Sequence, residues 1–139
     1  MNRQDAKDAK AEPQESVDGL ARVVIGAALE VHRQLGPGYL ESVYEEAMAV
    51  ELSLRDIEFE RQKRIPVQYK GRPVGEGRID LIVANQLIIE LKAVGMLLPI
   101  HTAQIVSYLK VTSCQLGLLI NFNERLLKNG IQRVVLTNQ

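Results

Sequence analysis

The sequence has 139 residues, of which 46% are apolar and 24% are charged. These proportions suit one ordinary globular domain. Seventeen basic side chains balance seventeen acidic ones, which argues against a histone-like DNA binder, because such proteins depend on a large cationic excess. The single cysteine, Cys114, excludes an intramolecular disulfide and a cysteine-based zinc site. We expect Cys114 to be a small, buried apolar residue.

The first fifteen residues are polar and mixed in charge. We therefore expect a disordered tail over residues 1–15, followed by a single domain over residues 16–139. No apolar run is long enough to span a membrane, and the tail has no apolar segment typical of a secretory signal. With one cysteine in the chain, these features favour a cytoplasmic protein.

Two helical patterns open the domain. Apolar residues recur at three- and four-residue steps from Val17 to Leu35, and again from Leu40 to Arg55. Gly36 and Pro37 end the first helix. The residues that we expect to face the core are Val17, Leu20, Val24, Ala27, Val31 and Leu35 on the first helix, and Leu40, Val43, Ala47, Val50 and Leu54 on the second.

Strand patterns follow after Asp56. Alternation of apolar and polar residues predicts a strand at Ile65–Tyr69, with Glu58–Gln62 leading into it, and further strands are predicted at Arg78–Val83 and Leu87–Lys92. The short connections between these strands indicate an antiparallel meander.

Helical spacing returns from Pro99 to Lys110, and two further strands complete the domain. Gln115–Phe122 is apolar on both faces, as expected of a buried strand, and Ile131–Leu136 is the last strand. A helix between two strands suggests a crossover, so the strand after it should be parallel to the strand before it. The expected apolar contacts of this third helix are Ala103, Val106 and Leu109.

Charged residues within two of the strands are the first candidates for a site. Glu90 and Lys92 share the face of Ile88, in a strand that is apolar on both sides and therefore a costly place for an unpaired charge. A short hairpin can bring Asp80 opposite Glu90. Adjacent carboxylates repel unless a proton or cation lies between them, and oxygen ligands favour Mg²⁺ or Mn²⁺. A structural ion pair is the alternative.

Polar side chains on the second and third helices offer further candidates. Glu41 lies in the first turn of the second helix, where the helix dipole also favours an acid, and Tyr44 follows on the same flank. On the third helix, His101, Gln104 and Tyr108 form a polar stripe. A half-exposed helix face is the alternative explanation of that stripe.

Residues 61–78 carry six basic side chains against one acid, Glu76. This segment is the only sign in the composition of a polyanionic partner. An exposed strand face rich in Lys and Arg is the alternative. The six basic residues are Arg61, Lys63, Arg64, Lys70, Arg72 and Arg78.

Together, these residues resemble a known family. The segment from Gly36 to Tyr44, GPGYLESVY, resembles the G-x-G-x-x-E-x-x-Y signature of the GxxExxY proteins. Segments that look like the rest of the family's pattern are Gly75-Glu76-Gly77, Asp80, Glu90-Leu91-Lys92-Ala93, His101, Gln104, Tyr108-Leu109-Lys110 and Leu119-Ile120-Asn121-Phe122. The likeness covers about residues 20–136. The family is grouped with the PD-(D/E)XK nuclease superfamily.

That grouping implies a fold. The expected fold class is α/β (α+β), with an αβββαβ core, a mixed central sheet flanked by helices, and an extra N-terminal helix. The order of elements predicted from the residues agrees with this core. The proline of the superfamily's name is absent, because Ile79 precedes Asp80.

The resemblance also implies an active site of Asp80, Glu90 and Lys92, with Glu41 as a further acid and Gln104 as a polar neighbour. Asp80, Glu90 and Glu41 would hold one or two Mg²⁺ (or Mn²⁺) ions, while Lys92 would orient a water, stabilise the transition state or act as a base. The residues that would contact nucleic acid are Arg61, Lys63, Arg64, Arg72 and Arg78, and those that would support the site are Tyr44, His101 and Tyr108.

The expected function is therefore that of a magnesium-dependent nuclease, a hydrolase of phosphodiester bonds, with DNA preferred over RNA as the partner. The alternative is a catalytically silent module that binds nucleic acid or assembles with another protein while retaining the nuclease fold. The zero net charge favours this alternative, whereas retention of the acidic cluster with Lys92 favours the enzyme. A homo-oligomer with its function at the interface is a third possibility.

Overall fold

A computed structural model describes the backbone of residues 12–136 and the side chains from Val17 to Leu136. Within this range the chain forms three α-helices, five strands and one turn of 3₁₀-helix. In chain order the elements are α1 (Glu12–Leu35), α2 (Glu41–Leu54), β1 (Phe59–Tyr69), β2 (Arg72–Val83), β3 (Leu87–Lys92), α3 (Pro99–Thr112), β4 (Leu116–Asn121), the 3₁₀ turn (Leu127–Gly130) and β5 (Ile131–Val135). The predicted order of elements is confirmed.

The N-terminal helix begins earlier than its apolar pattern predicts. It starts at Glu12, five residues before Val17, because the polar residues ahead of the apolar stripe continue the same helix. The predicted tail over residues 1–15 otherwise lies outside the described residues. At its other end, α1 closes on Gly36, which has a left-handed φ of 69° and donates its N–H to the carbonyl of His32.

The buried face of α2 differs from the prediction. Leu40 and Leu54 are 77% and 72% exposed, and Val43 and Val50 are exposed as well. The residues that enter the core are Tyr44, Met48 and Leu52. Ala47 packs against the core as predicted. The prediction was wrong for the other four residues because apolar residues repeat on two adjoining faces, and the face that turns inward is the one that carries Tyr44.

The sheet has the strand order β1-β2-β3-β4-β5. Its pairs are antiparallel except for β3 and β4, which run parallel on either side of the α3 crossover. The parallel pairing predicted for these two strands is confirmed. The fold is therefore a mixed α+β fold, with a five-stranded mixed sheet and three helices in the described part of the chain.

Two apolar cores cover the two faces of the sheet. The larger core joins α1 and α2 to one face, to which β3 contributes Leu87, Ile89 and Leu91. The smaller core joins α3 to the opposite face, to which β3 contributes Ile88. Since β3 contributes to both cores, it is a central strand, as its apolar pattern predicts.

The buried residues of α3 also differ in part from the prediction. Leu109 is buried as expected, but Ala103 is exposed and Val106 is only partly buried. Ile105 and Tyr108 are buried in their place, because α3 comes very close to the sheet: a Cβ on Gly117 of β4 would lie 2.5 Å from Cγ2 of Ile105.

The single cysteine lies just after α3. Cys114 is buried, as predicted, and belongs to the smaller core.

Strands β1 and β2 form a hairpin that extends beyond the rest of the sheet. Only Leu81, Ile82 and Val83 of β2 pair with β3, whereas β1 and β2 pair along most of their length, from Phe59↔Val83 to Tyr69↔Arg72. We call residues 63–79 of this hairpin the hairpin arm. None of the helices in the described part of the chain has a stretch long and apolar enough to cross a membrane.

Candidate active site

The candidate site lies where β2 and β3 separate. The last pair in their ladder is Leu81↔Ile89, and the same register places Asp80 opposite Glu90 at the next step. No backbone ladder continues there, so the two strands diverge at these two residues. Asp80 and Glu90, which were predicted as possible cross-strand neighbours, therefore lie opposite each other at a split in the sheet.

Side-chain hydrogen bonds replace the backbone ladder at this split. The N–H of Asp80 donates to Oε2 of Glu90 at 2.9 Å, and the N–H of Leu91 donates to Oδ2 of Asp80 at 2.8 Å. Each carboxylate thus accepts from the backbone of the opposite strand. This reciprocal pair of bonds fixes one oxygen of each acid and leaves the other oxygen, Oδ1 of Asp80 or Oε1 of Glu90, for a further contact.

The two carboxyl groups lie in surroundings that disfavour their charge. Glu90 is only 3% exposed, and burial together with the neighbouring Asp80 raises its pKa to about 8. Burial also raises the pKa of Asp80. Two acids that resist ionisation at a break in the sheet are typical of a site built for a cation or a proton.

Lys92 and Glu41 complete the electrostatics of the site. The positive charge of Lys92 acts on Glu41, Asp80 and Glu90 and opposes the rise in the pKa of all three. For Glu41, partial burial and then the charge of Asp80 raise the pKa. The residues predicted from separate segments are therefore close enough to influence one another.

The chemistry of these side chains fits a divalent cation of the magnesium type. Mg²⁺ in proteins is commonly held by one or two carboxylates and keeps several waters or substrate oxygens. Asp80 and Glu90 supply two such carboxylates, each with a second oxygen not taken by the backbone bonds described above. Within the described residues, no three acidic, histidine or cysteine side chains are grouped so as to hold a metal. The part of Glu41 as a third ligand stays a prediction.

The loop before α2 positions Glu41 at the first residue of that helix. Gly36 and Gly38 have φ values of 69° and 114°, which only glycine adopts readily. The hydroxyl of Tyr44 donates to the carbonyl of Gly36 at 2.6 Å and accepts from the N–H of Tyr39 at 3.2 Å. Tyr44 therefore ties the loop to the helix that carries Glu41, a contact through which it can support the site.

A further contact to the site comes from Gln62, which the sequence analysis does not single out. Its amide nitrogen donates to Oδ1 of Asp80 at 3.3 Å and to Oε1 of Glu45 at 2.8 Å. Glu45 follows Glu41 by one helical turn of α2. No signal in the sequence marks Gln62, since its contact depends on the register of β1 against β2.

The three polar residues predicted to form a stripe on α3 make separate structural contacts. His101 accepts the N–H of Leu98 at Nδ1, 3.0 Å away, and so closes the start of the helix. Gln104 is exposed and donates to the hydroxyl of Tyr108 at 3.3 Å. Tyr108 is buried against the hairpin arm, where a Cβ on Gly77 would lie 2.8 Å from its ring. The part of Gln104 in catalysis and the support of the site by His101 and Tyr108 stay predictions.

The predicted phosphate contacts lie on the hairpin formed by β1 and β2, but they differ in their partners. Arg61 bonds to Glu45 at 3.0 Å and to Glu46 at 2.6 Å, so two carboxylates compensate its charge. Lys63 pairs with Glu60 and Arg64 with Glu76, at 3.2 and 3.4 Å. Within the described residues, Arg72 and Arg78 have no carboxylate partner of this kind.

Comparison with known proteins identifies the family. The sequence matches the family model of the PD-(D/E)XK nuclease superfamily over residues 18–134. Because this match covers most of the chain, the protein belongs to the PD-(D/E)XK nuclease superfamily. No curated protein matches it.

A solved structure supports the fold. The crystal structure of SSO0001 is similar, with a TM-score of 0.55 and 18% sequence identity. The similarity covers 70% of this chain and 50% of that chain, so this chain spans about half the length of the protein that it matches. At this level of identity the likeness concerns the fold alone.

Proposed function

We propose that this protein is a divalent-metal-dependent nuclease that hydrolyses phosphodiester bonds, and that it is a GxxExxY-type member of its superfamily. The observation that carries the proposal is the pair of carboxylates at the split between β2 and β3. Asp80 and Glu90 are hydrogen-bonded through each other's strands, both have a raised pKa, and Lys92 acts on both. Such a pair is destabilising unless a proton or a cation lies between the two carboxylates.

Each residue has a separate task in this proposal. Asp80 and Glu90 would hold Mg²⁺ or Mn²⁺, with Glu41 near enough to contribute. When bound, such an ion lowers the pKa of a coordinated water and compensates charge on the phosphate. The ammonium group of Lys92 orients the attacking water or stabilises the negative charge that develops on the phosphate oxygens.

The hairpin arm supports nucleic acid as the substrate. Arg64 and Arg78 lie directly opposite each other in the β1–β2 ladder, an arrangement of like charges that destabilises a sheet, and Glu76 at 3.4 Å compensates the charge of Arg64 only. Arg78 precedes Asp80 by two residues, about 6.6 Å along the strand. A polyanion that passes over the arm toward the split would relieve this repulsion, and DNA is the first substrate to test.

The GxxExxY assignment rests on the part that the motif plays in the fold. Its two glycines provide the left-handed turns after α1, its glutamate is the first residue of α2, and its tyrosine closes the loop. The motif thereby directs an acid toward the carboxylate pair, which gives each of its fixed positions a physical reason.

The test is cleavage of labelled single-stranded and duplex DNA and RNA in Mg²⁺ or Mn²⁺, with EDTA as the blank. Glu90→Gln keeps the shape of the side chain but removes its charge, and Lys92→Ala removes the ammonium group. We expect each variant to lose roughly a hundredfold or more of the metal-dependent rate. Glu58→Gln, at an exposed position just before β1, is the matched control and should cleave as the wild type does.

Equal cleavage by the wild type and both site variants would refute this site. Binding of nucleic acid by the wild type without any metal-dependent cleavage would instead identify the catalytically silent module as the better description.

A further inference from the structure

Gln62 lies at an interruption of the β1–β2 ladder. Arg61 pairs with Leu81 and Lys63 pairs with Ile79, so the register is the same on both sides. That register places Gln62 opposite Asp80, yet these two residues make no backbone ladder pair. The gap in this ladder thus falls at the same residue, Asp80, as the end of the ladder between β2 and β3.

The backbone of Gln62 has a left-handed conformation, with a φ of 51°. This region is unfavourable for residues other than glycine, asparagine and aspartate, and residues held there cluster at functional sites. Burial does not account for the conformation, because Gln62 is exposed. The contacts of its side chain are therefore the features to examine.

The amide group of Gln62 contacts two carboxylates. Its nitrogen donates to Oε1 of Glu45 at 2.8 Å and to Oδ1 of Asp80 at 3.3 Å. Ionised carboxylates only accept hydrogen bonds, so the nitrogen end of the amide must face them. Glu45 is itself fixed by the guanidinium of Arg61 at 3.0 Å. A chain of contacts thus runs from α2 through β1 to the acid on β2.

We propose that Gln62 is a positioning residue for Asp80, an inference that rests on the proposed function. The N–H of Leu91 fixes Oδ2 of Asp80, and Gln62 fixes Oδ1, so both oxygens are oriented before a cation arrives. Oδ1 keeps a lone pair for the cation, since each carboxylate oxygen can accept more than one contact. The register of β1 against β2 places the side chain of Gln62 opposite Asp80.

The test separates positioning from folding through the substitution Gln62→Gly. Glycine adopts the left-handed backbone without strain but lacks the amide. We expect the thermal unfolding midpoint to stay the same or to rise. The dissociation constant for Mn²⁺, measured by calorimetry, should increase about tenfold or more, as it does when supporting residues of metal sites are removed. The cleavage rate at a fixed, subsaturating Mn²⁺ concentration should fall with it.

Ser113→Gly is the matched control. Ser113 also has a left-handed φ, 64°, but it lies exposed at the end of α3. Relief of strain there should leave Mn²⁺ affinity unchanged. If Gln62→Gly does not fold, Gln62→Asn takes its place, because asparagine tolerates the same backbone and its shorter side chain reaches less far.

A double-mutant cycle with Asp80→Asn tests the route of the effect. If Gln62 acts through Asp80, Gln62→Gly should change Mn²⁺ affinity far less in the Asp80→Asn protein than in the wild type. An unchanged Mn²⁺ affinity of Gln62→Gly, in a protein whose wild type binds Mn²⁺ and cleaves, would overturn this inference alone. A wild type that neither binds Mn²⁺ nor cleaves would overturn the proposed function and this inference together.

Discussion

Tyr44 shows how one side chain can serve both the core and the site. Its ring stacks on Phe122 with the centroids 4.5 Å apart and the planes 9° from parallel. Its hydroxyl reaches out of the core to the loop that precedes α2, where it bonds to Gly36 and Tyr39. The stacked ring fixes the helix against the sheet, and the hydroxyl fixes the loop that delivers Glu41.

Removal of this hydroxyl should therefore affect stability and activity together. In Tyr44→Phe the ring still stacks, but the carbonyl of Gly36 and the N–H of Tyr39 lose their partner. We expect the free energy of unfolding, measured by urea titration, to fall by about 1–3 kcal/mol. The rate of metal-dependent cleavage should fall as well, because the start of α2 is less well fixed.

Tyr39→Phe is the control for this prediction. Tyr39 is 51% exposed, and it contacts Tyr44 through its ring and its backbone N–H, both of which the substitution retains. Its stability should stay within about 0.5 kcal/mol of the wild type. Equal stability of the two variants would show that the hydroxyl of Tyr44 contributes nothing.

The hairpin arm formed by β1 and β2 carries the basic residues that are proposed to contact the substrate. Arg78→Gln removes a guanidinium that has no carboxylate partner among the described residues. We expect weaker binding of DNA of any sequence and a decrease of about one in the slope of log affinity against log salt. Fluorescence anisotropy over a range of salt concentrations measures both quantities.

Lys110→Gln is the control, because it removes one positive charge, as Arg78→Gln does. Lys110 lies exposed in the last turn of α3, outside the hairpin arm. Its loss should leave the salt slope as it is in the wild type. If both substitutions weaken binding equally, the arm has no special part and net charge alone explains the affinity.

The strands and helix α2 show how much of the fold can be predicted from the sequence. The apolar run of β3 predicts that strand to its last residue, and the apolar run of β4 predicts its burial. The bounds of β1 and β2 are missed by several residues, because the hairpin arm is largely exposed and carries little apolar pattern. On α2, Leu40 and Leu54 suggest one face, whereas the stacking of Tyr44 on Phe122 selects another.

The candidate site, like the fold, can be predicted from the sequence only in part. Asp80, Glu90 and Lys92 can be found as candidates from the sequence, because a charged residue in an otherwise apolar strand is energetically costly. Gln62 cannot be found from the sequence, because a polar residue in an exposed strand carries no such energetic cost. The part proposed for it rests on the register of two strands, and neither that register nor its left-handed backbone leaves a pattern in the sequence.

Protonation of the candidate site is coupled to the stability of the folded protein. Glu90 has a pKa of about 8 in the folded protein and an ordinary value of 4.5. The pKa of Asp80 and that of Glu41 are raised as well. Between pH 4.5 and about pH 8, the folded chain holds the proton of Glu90, which the unfolded chain has released. The free energy of unfolding therefore falls as the pH rises through this range.

The metal-free protein should therefore be more stable near pH 5 than near pH 8.5. The difference that Glu90 contributes is on the order of a few kcal/mol. Hydrogen bonds to Gln34 and Arg61 lower the pKa of Glu30 and that of Glu46, respectively. These two groups affect stability only below about pH 4.5, so they do not alter the expected difference between pH 5 and pH 8.5. Urea titrations in EDTA at a series of pH values measure the slope.

Added Mg²⁺ should act in the opposite direction, because it binds the ionised carboxylates and its stabilising effect grows as they lose their protons. The gain in unfolding free energy on adding Mg²⁺ should be larger at pH 8 than at pH 6. Glu90→Gln removes the titrating group, so its metal-free stability should vary less with pH and its response to Mg²⁺ should be small. A wild type whose metal-free stability rises between pH 5 and pH 8 would contradict the raised pKa of Glu90, and with it the account of why the split between β2 and β3 attracts a cation.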